Sequence, residues 1–191
     1  IVISETAGIV KTDEAVTDYC GFSFIEAGKT MGLFPYGEHP KEVPSLFTNG
    51  QTHPLSDRNV IVPTYPNGAL VNRNYFEFLR DRHDQDEDVT KLKNRRDMAY
   101  AVQTQTQEQV TNLIKKAVAM SGKKNVVLSG GYGLNCVANY HYLEALKNEG
   151  INLYVEPVSN DAGTAMGAAL LQYRTITRDR TIHDQVDTLY N

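Results

Sequence analysis

Two short stretches in the last third of the chain carry residue types that could do chemistry. The first is Ser129-Gly130-Gly131-Tyr132-Gly133, which follows the apolar run Asn125-Val126-Val127-Leu128 and leads into a helical pattern near Leu134. The second is Glu156-Pro157-Val158-Ser159-Asn160-Asp161, which follows Asn152-Leu153-Tyr154-Val155 and leads into a helix of very small residues, 162–169. A glycine turn between a strand and a helix lets backbone N–H groups approach a ligand, because Gly130 and Gly131 have no Cβ. A helix N-terminus adds roughly half a positive charge. Together these hold a phosphate without a lysine. In open α/β sheets ligands lie at the carboxyl ends of strands, where both turns fall. The spacing matches neither the Walker A loop nor the Gly-x-Gly-x-x-Gly dinucleotide fingerprint.

Each of these residues also has a plain structural use. Gly130 and Gly131 serve either close approach of a nucleotide or a tight turn. Asp161 either caps the helix that follows it, as Asp, Asn and Ser commonly do, or offers a carboxylate to a ligand. Gly163 and Gly167, four apart, allow close helix packing or approach to a base. Lys29, in Gly28-Lys29-Thr30-Met31-Gly32, can reach a phosphate or stand in solvent. Asn135 and Asn139 share a helix face, as partners for a hydroxyl or as a solvated polar stripe. His39, His53, His83, His141 and His183 form no zinc-type pair, and His141 is expected at the surface. Arg95 and Arg96 read as a solvated helix end, and Cys136 as a small buried hydrophobe.

The elements that must position these residues follow from periodicity and punctuation. Residues 1–10 read as a short strand, and residues 24–33 as a short helix that stops at Phe34-Pro35-Tyr36-Gly37. Five prolines between residues 38 and 70 predict mostly loop, with one strand at 59–62. Residues 73–83 are expected to be helical, with a charged, solvated turn over 81–88. A long helix is predicted from Lys93 to Ser121. Met98, Val102, Val110, Leu113, Ile114 and Ala117 lie near one of its faces, and Gly122 stops it. The polar run 103–107 counts against that helix. Strand, turn and helix then recur twice, which predicts an α/β fold with a partly parallel sheet.

At 191 residues and 41% hydrophobic content the chain suits one domain or the larger share of one. A net charge of −4 argues against a dedicated nucleic-acid binder. Cys20 and Cys136, far apart, make no disulfide framework, so a reducing, cytoplasmic setting is expected. No apolar run reaches transmembrane length, and no basic n-region of a signal peptide opens the chain. It begins without Met, which predicts a piece of a longer protein.

The motifs resemble one family. Residues 129–139, ending Asn135-Cys136-Val137-Ala138-Asn139, resemble the Gly-Gly-hydrophobic-x-x-Asn-Cys-x-x-Asn element of the NodU/CmcH/TobZ carbamoyltransferases. Residues 157–169 resemble their Pro-x-x-x-Asp-x-Gly-x-x-x-Gly-Ala-Ala element, and residues 28–37 their Gly-Lys-x-Met-Gly-Leu-x-x-Tyr-Gly element. Residues 97–103, with Glu108, resemble the helix before the Gly-Gly strand. All four occur in family order.

That resemblance implies an actin-like ATPase (ASKHA) fold, shared with hexokinase, of which this chain would be a partial TsaD-like domain, mainly its second lobe. It implies formation of a carbamoyl-adenylate from ATP and carbamoyl phosphate, and transfer of the carbamoyl group to a small-molecule hydroxyl acceptor. An iron-type divalent metal is implied, acting as Lewis acid and template, with Asp161 as a ligand and catalytic group. Gly130, Gly131, Asn135 and Gly163 would line the nucleotide (ATP or AMP), and Lys29 carries over as a motif residue. A homodimer is implied. The family's first phosphate hairpin, its His-x-x-x-His metal pair and its YrdC-like domain have no counterpart here, so the chain alone is expected to be inactive without the remaining parts of the parent enzyme. Two rivals share the fold: a tRNA threonylcarbamoyltransferase, and a non-catalytic nucleotide-binding or assembly module.

Overall fold

The computed structural model describes residues 8–39, 41, 45–47, 60–64, 68–72 and 93–181. The expected helix at 73–83 and charged turn at 81–88 lie outside the described residues, as do His53, His83 and His183.

The long helix organises what is described. Helix α3, Lys93–Ser121, runs unbroken through the polar stretch that counted against it. Its polar side chains bond instead of competing with the helix. The hydroxyls of Thr104, Thr106 and Thr111 donate to the carbonyls of Tyr100, Val102 and Gln107, one turn back. Gln105 Oε1 accepts from the Leu46 amide at 2.8 Å. The expected apolar face is only partly right, since Ala117 is exposed while Gln103 and Thr106 are buried.

Two cores form along this helix. The first half of α3 packs against α1, Ile9–Tyr19, and α2, Ala27–Leu33. Val16, Tyr19, Cys20, Met98 and Val102 are buried there. Residues 9 and 10, expected in a strand, open α1 instead. Ile9, Val16, Tyr19 and Cys20 fall on one helical face and bury against α3, so tertiary packing overrides the β-branched run at the start. Thr30 donates to Thr17 at 2.8 Å, a buried hydroxyl pair that ties α2 to α1. A short 3-10 turn, Phe34–Tyr36, ends α2 where Pro35 was expected to stop it, and Phe34 stacks on Tyr100 of α3. Strands β1, Ile61–Thr64, and β2, Gly68–Val71, form an antiparallel hairpin on this core. The region expected to be mostly loop thus holds β1, two residues later than predicted, and a strand the composition hid.

The second core joins the other half of α3 to a βαβ unit. Strand β3, Asn125–Leu128, helix α4, Cys136–Leu146, and strand β4, Asn152–Val155, follow in order, and the two strands pair in parallel with Val127 opposite Tyr154. Ala138, Tyr142 and Leu146, four residues apart, bury against Ile114. Val126, Leu128 and Leu153 turn toward this core, whereas Val127 and Tyr154 are exposed. The apolar run 125–128 is therefore half-buried, its side chains alternating as period two dictates. Helix α5, Asp161–Thr177, closes the described chain and keeps Leu171 and Ile176 in solvent.

Arg95 and Cys136 reverse their expected places. Arg95 is buried under the first core, not at a solvated end. Cys136 is exposed at the start of α4, its Sγ 4.0 Å from Met31 Sδ. The start of a capped helix faces the α2 side, so a residue there need not be core. His141 is half-buried, its ring edge-on to Tyr142.

Candidate functional site

The glycine turn is held from beneath by α3. Gly130 adopts φ +102°, ψ 161°, a conformation that side chains with a Cβ rarely take, so glycine is required by the backbone itself. A 3-10 turn, Gly131–Leu134, follows, and only then does α4 begin. Two amides are used inside this turn: Gly133 N–H donates to the Gly130 carbonyl at 2.8 Å, and Asn135 N–H to that of Tyr132 at 3.0 Å. The helix expected to begin near Leu134 starts two residues later, at Cys136, behind that turn. Around both glycines a Cβ would meet nothing within 4 Å, so the turn's outer face is open.

Three side chains fix the turn. The Tyr132 hydroxyl donates to Thr106 Oγ1 at 2.7 Å, and burial pushes its pKa up to about 12. Asn135 and Gln103 exchange amide hydrogen bonds: Asn135 Nδ2 donates to Gln103 Oε1 at 3.0 Å and Gln103 Nε2 to Asn135 Oδ1 at 3.3 Å. The same Oδ1 accepts from the Ala138 amide at 3.0 Å, which makes Asn135 the N-cap of α4. Asn139 is no solvated stripe. Its Nδ2 donates to the Gly133 carbonyl at 2.7 Å, and its buried Oδ1 has no hydrogen-bond partner among the described residues. The polar run of α3 is thus the support of the Gly-Tyr-Gly turn, a role that spacing alone did not reveal.

At the second turn the cap is Asn160, whose Oδ1 accepts from the Ala162 amide at 3.0 Å. Asp161 is the first residue inside α5, so the capping use open to it in the sequence belongs to its neighbour. The Asp161 side chain lies outside the described residues. Gly163 has a clear packing reason: a Cβ there would stand 1.9 Å from the Val158 carbonyl oxygen. Lys29 is exposed, paired with Glu26 at 2.5 Å and lying over the Phe22 ring at 5.6 Å. That pair holds the Glu26 carboxyl below its usual range.

A cavity of about 310 Å³ opens between the two halves of the molecule. Its walls are Asp13 and Glu14 from α1, Gly28 and Met31 from α2, and Gly131 and Asn135 from the glycine turn, with Phe24, Ile25 and Leu134 supplying apolar surface. Asp13 is 6% exposed. Burial, then the charge of Glu14, pushes its carboxyl up to about 7. Sequence reasoning passed over this residue. The signal was there: an acid set among Ile9, Val16 and Cys20 on the apolar face of a helical pattern. Among the described residues no three His, Cys, Asp or Glu side chains converge as metal ligands. The described residues alone do not make a complete ligand set for a metal ion.

Residues 4–170 match the family described as carbamoyltransferase N-terminus. The chain is 32% identical over 161 residues to an uncharacterized protein of Synechocystis sp., covering 82% of this chain and 26% of that protein. It is 27% identical over 161 residues to the nodulation protein NolNO of Sinorhizobium fredii, covering 80% of this chain and 21% of that protein. It is 27% identical over 160 residues to the nodulation protein NolO of Bradyrhizobium diazoefficiens, covering 80% and 26%. The chain spans about a quarter of the length of these relatives. No helix among the described residues is long and apolar enough to cross a membrane.

Proposed function

The chain belongs to the carbamoyltransferase N-terminus family, and from that premise we propose that it forms one side of a site that moves a carbamoyl group to a hydroxyl acceptor. The observation that carries this reading is the shared cavity: Gly28 and Met31 of one motif and Gly131 and Asn135 of another, about a hundred residues apart in sequence, line the same space. Its volume lies at the small end of ligand pockets, which run roughly 300–1,000 Å³. It suits a carbamoyl group and a small acceptor.

In this reading the donor is a carbamoyl-adenylate made from ATP and carbamoyl phosphate, within an actin-like ATPase fold. The AMP part lies against the open face of Gly130 and Gly131, beside Asn135, with Gly163 setting the close seat of α5. The Lys29–Glu26 pair stands on the neighbouring surface. Asp161 is the carboxylate this chain offers to a divalent, iron-type metal, completed by residues outside those described. A carboxylate suits a hard cation. The uncovered apolar residues Val127, Tyr154, Leu171 and Ile176 support a further body of protein lying against β3, β4 and α5.

The test uses the intact protein with labelled carbamoyl phosphate, ATP, iron and a panel of hydroxyl compounds. Labelled product is expected from the intact protein and none from these 191 residues alone. A Cβ at Gly131 meets nothing within 4 Å, so Gly131→Val should leave folding intact by circular dichroism yet weaken ATP or AMP binding at least about tenfold, a cost of roughly 1.4 kcal/mol. Unchanged affinity would make the turn structural only.

For Asp161, the expected result is loss of bound metal from the Asp161→Ala protein, measured by elemental analysis against the unaltered protein. Because Asn160 supplies the cap, this substitution should leave α5 in place. Equal metal content in both would remove the ligand assignment.

A further inference from the structure

We propose that Asp13 is the proton acceptor for the attacking hydroxyl, and that the cavity between α1, α2 and the glycine turn is where the acceptor lies. This inference rests on the carbamoyl-transfer reading above. Its ground is which polar groups in the cavity are already committed. Glu14 is paired with Lys11 at 2.6 Å. The Tyr132 hydroxyl donates to Thr106, and the Asn135 amide is engaged by Gln103 and by the Ala138 N–H. The Asp13 carboxyl lines the cavity, its residue is only 6% exposed, and no described residue donates a hydrogen bond to it. Its oxygens are not sealed in the protein but open onto the cavity, so their hydrogen-bonding capacity is left to whatever binds there. A hydroxyl bound in the cavity supplies a donor.

The chemistry balances without a further reagent. The acceptor oxygen attacks the carbamoyl carbon and forms the new C–O bond. Its O–H bond breaks, and the proton passes to Asp13 Oδ. The bond between the carbamoyl carbon and the phosphate oxygen breaks, and its electron pair leaves on that oxygen. A proton acceptor works best with its pKa near the working pH, and burial places the Asp13 carboxyl there. The titratable groups facing it are Glu14, with its Lys11 partner, on α1 and Tyr132 on the turn; the α2 residues on the cavity wall, Ala27, Gly28 and Met31, carry no titratable group. The lining residues Phe24, Ile25, Met31 and Leu134 are apolar. The acceptor class is therefore a small hydroxyl compound, neutral or cationic, with an apolar flank. An anion would meet Asp13 and Glu14.

Water is the smallest hydroxyl acceptor and serves as the probe. The intact protein is mixed with ATP and carbamoyl phosphate and no other acceptor. The burst of pyrophosphate reports donor formation, and the decay of the carbamoyl-adenylate reports transfer. Asp13→Asn should keep the burst and slow the decay by roughly 10²- to 10⁴-fold, the range for loss of a general base. It should also abolish the rise of the decay rate through about pH 7. Asp13→Glu should recover part of the rate and of the pH dependence. Normal decay in Asp13→Asn, or slow decay with the pH dependence intact, overturns the assignment. No burst in the unaltered protein instead sinks the carbamoyl-transfer reading, and this proposal with it.

Discussion

Gly37→Ala should cost the protein about 3 kcal/mol or more, seen as a fall in melting temperature on the order of 10 °C for a domain of this size. Gly37 follows the 3-10 turn at φ −103°, ψ 170°, a conformation any residue adopts, so backbone strain plays no part. The cause is contact. A Cβ at Gly37 would stand 2.0 Å from the Arg96 carbonyl oxygen and 2.4 Å from its carbon. Both are backbone atoms inside α3, which cannot step aside as a flexible side chain can. The next residue is pinned as well, since the Glu38 amide donates to Asp97 Oδ1 at 2.9 Å. Asp97 is itself buried and paired with Lys93 at 2.5 Å. The chain must therefore lift off α3 just after α2, and α2 is a wall of the cavity. Gly28→Ala is the contrast: its Cβ meets nothing within 4 Å, and alanine inside a helix gains roughly 0.5–1 kcal/mol over glycine. Thermal unfolding of both variants checks the pair. Equal melting temperatures would show that the Gly37 contact relaxes freely.

Much of this geometry was legible in the sequence, and what was not has physical causes. The helix from Lys93 to Ser121 and the strands at 125–128 and 152–155 agree with the pattern that predicted them, because period and glycine punctuation are local signals. The two strand–turn–helix units also emerged, and with them the parallel pair. Helix α1 did not, because Ile9 and Val10 read as strand and its identity comes from burial against α3. The partnerships of Gln103 with Asn135 and Thr106 with Tyr132 join residues 32 and 26 apart. No single-sequence pattern names such partners. The Asn160 cap was hidden for a different reason: two adjacent residues, Asn160 and Asp161, both suit the position, and only backbone geometry decides between them. Asp13 was the most consequential omission. Its place on the apolar face shows only once residues 9–19 are read as a helix and not as the end of a strand.

Asp13→Asn should stabilise the protein by up to ~4 kcal/mol above pH 7 and by close to nothing at pH 4, relative to the constant offset of the substitution itself. The carboxyl's folded pKa is about 7, against about 3.9 when unfolded. Below pH 4 it is protonated in both states, and its burial carries no charge penalty. Between pH 4 and pH 7 the unfolded chain releases the proton while the folded chain keeps it. The unfolded state then binds fewer protons, and stability falls by about 1.4 kcal/mol for each pH unit. Above pH 7 both states are ionised, and the difference stays at its full value. The leading cause is desolvation, with the Glu14 charge second. Glu14→Gln should therefore recover a smaller part of the same pH-dependent difference. Thermal unfolding of the unaltered protein and of Asp13→Asn from pH 4 to pH 8 supplies the measurement. The gap in melting temperature should open with rising pH, to on the order of 10 °C. A gap that stays constant across this range would mean that Asp13 ionises at its ordinary pKa. The carboxyl would then be well solvated in the folded protein, and the cavity would lose the poised proton acceptor proposed for it.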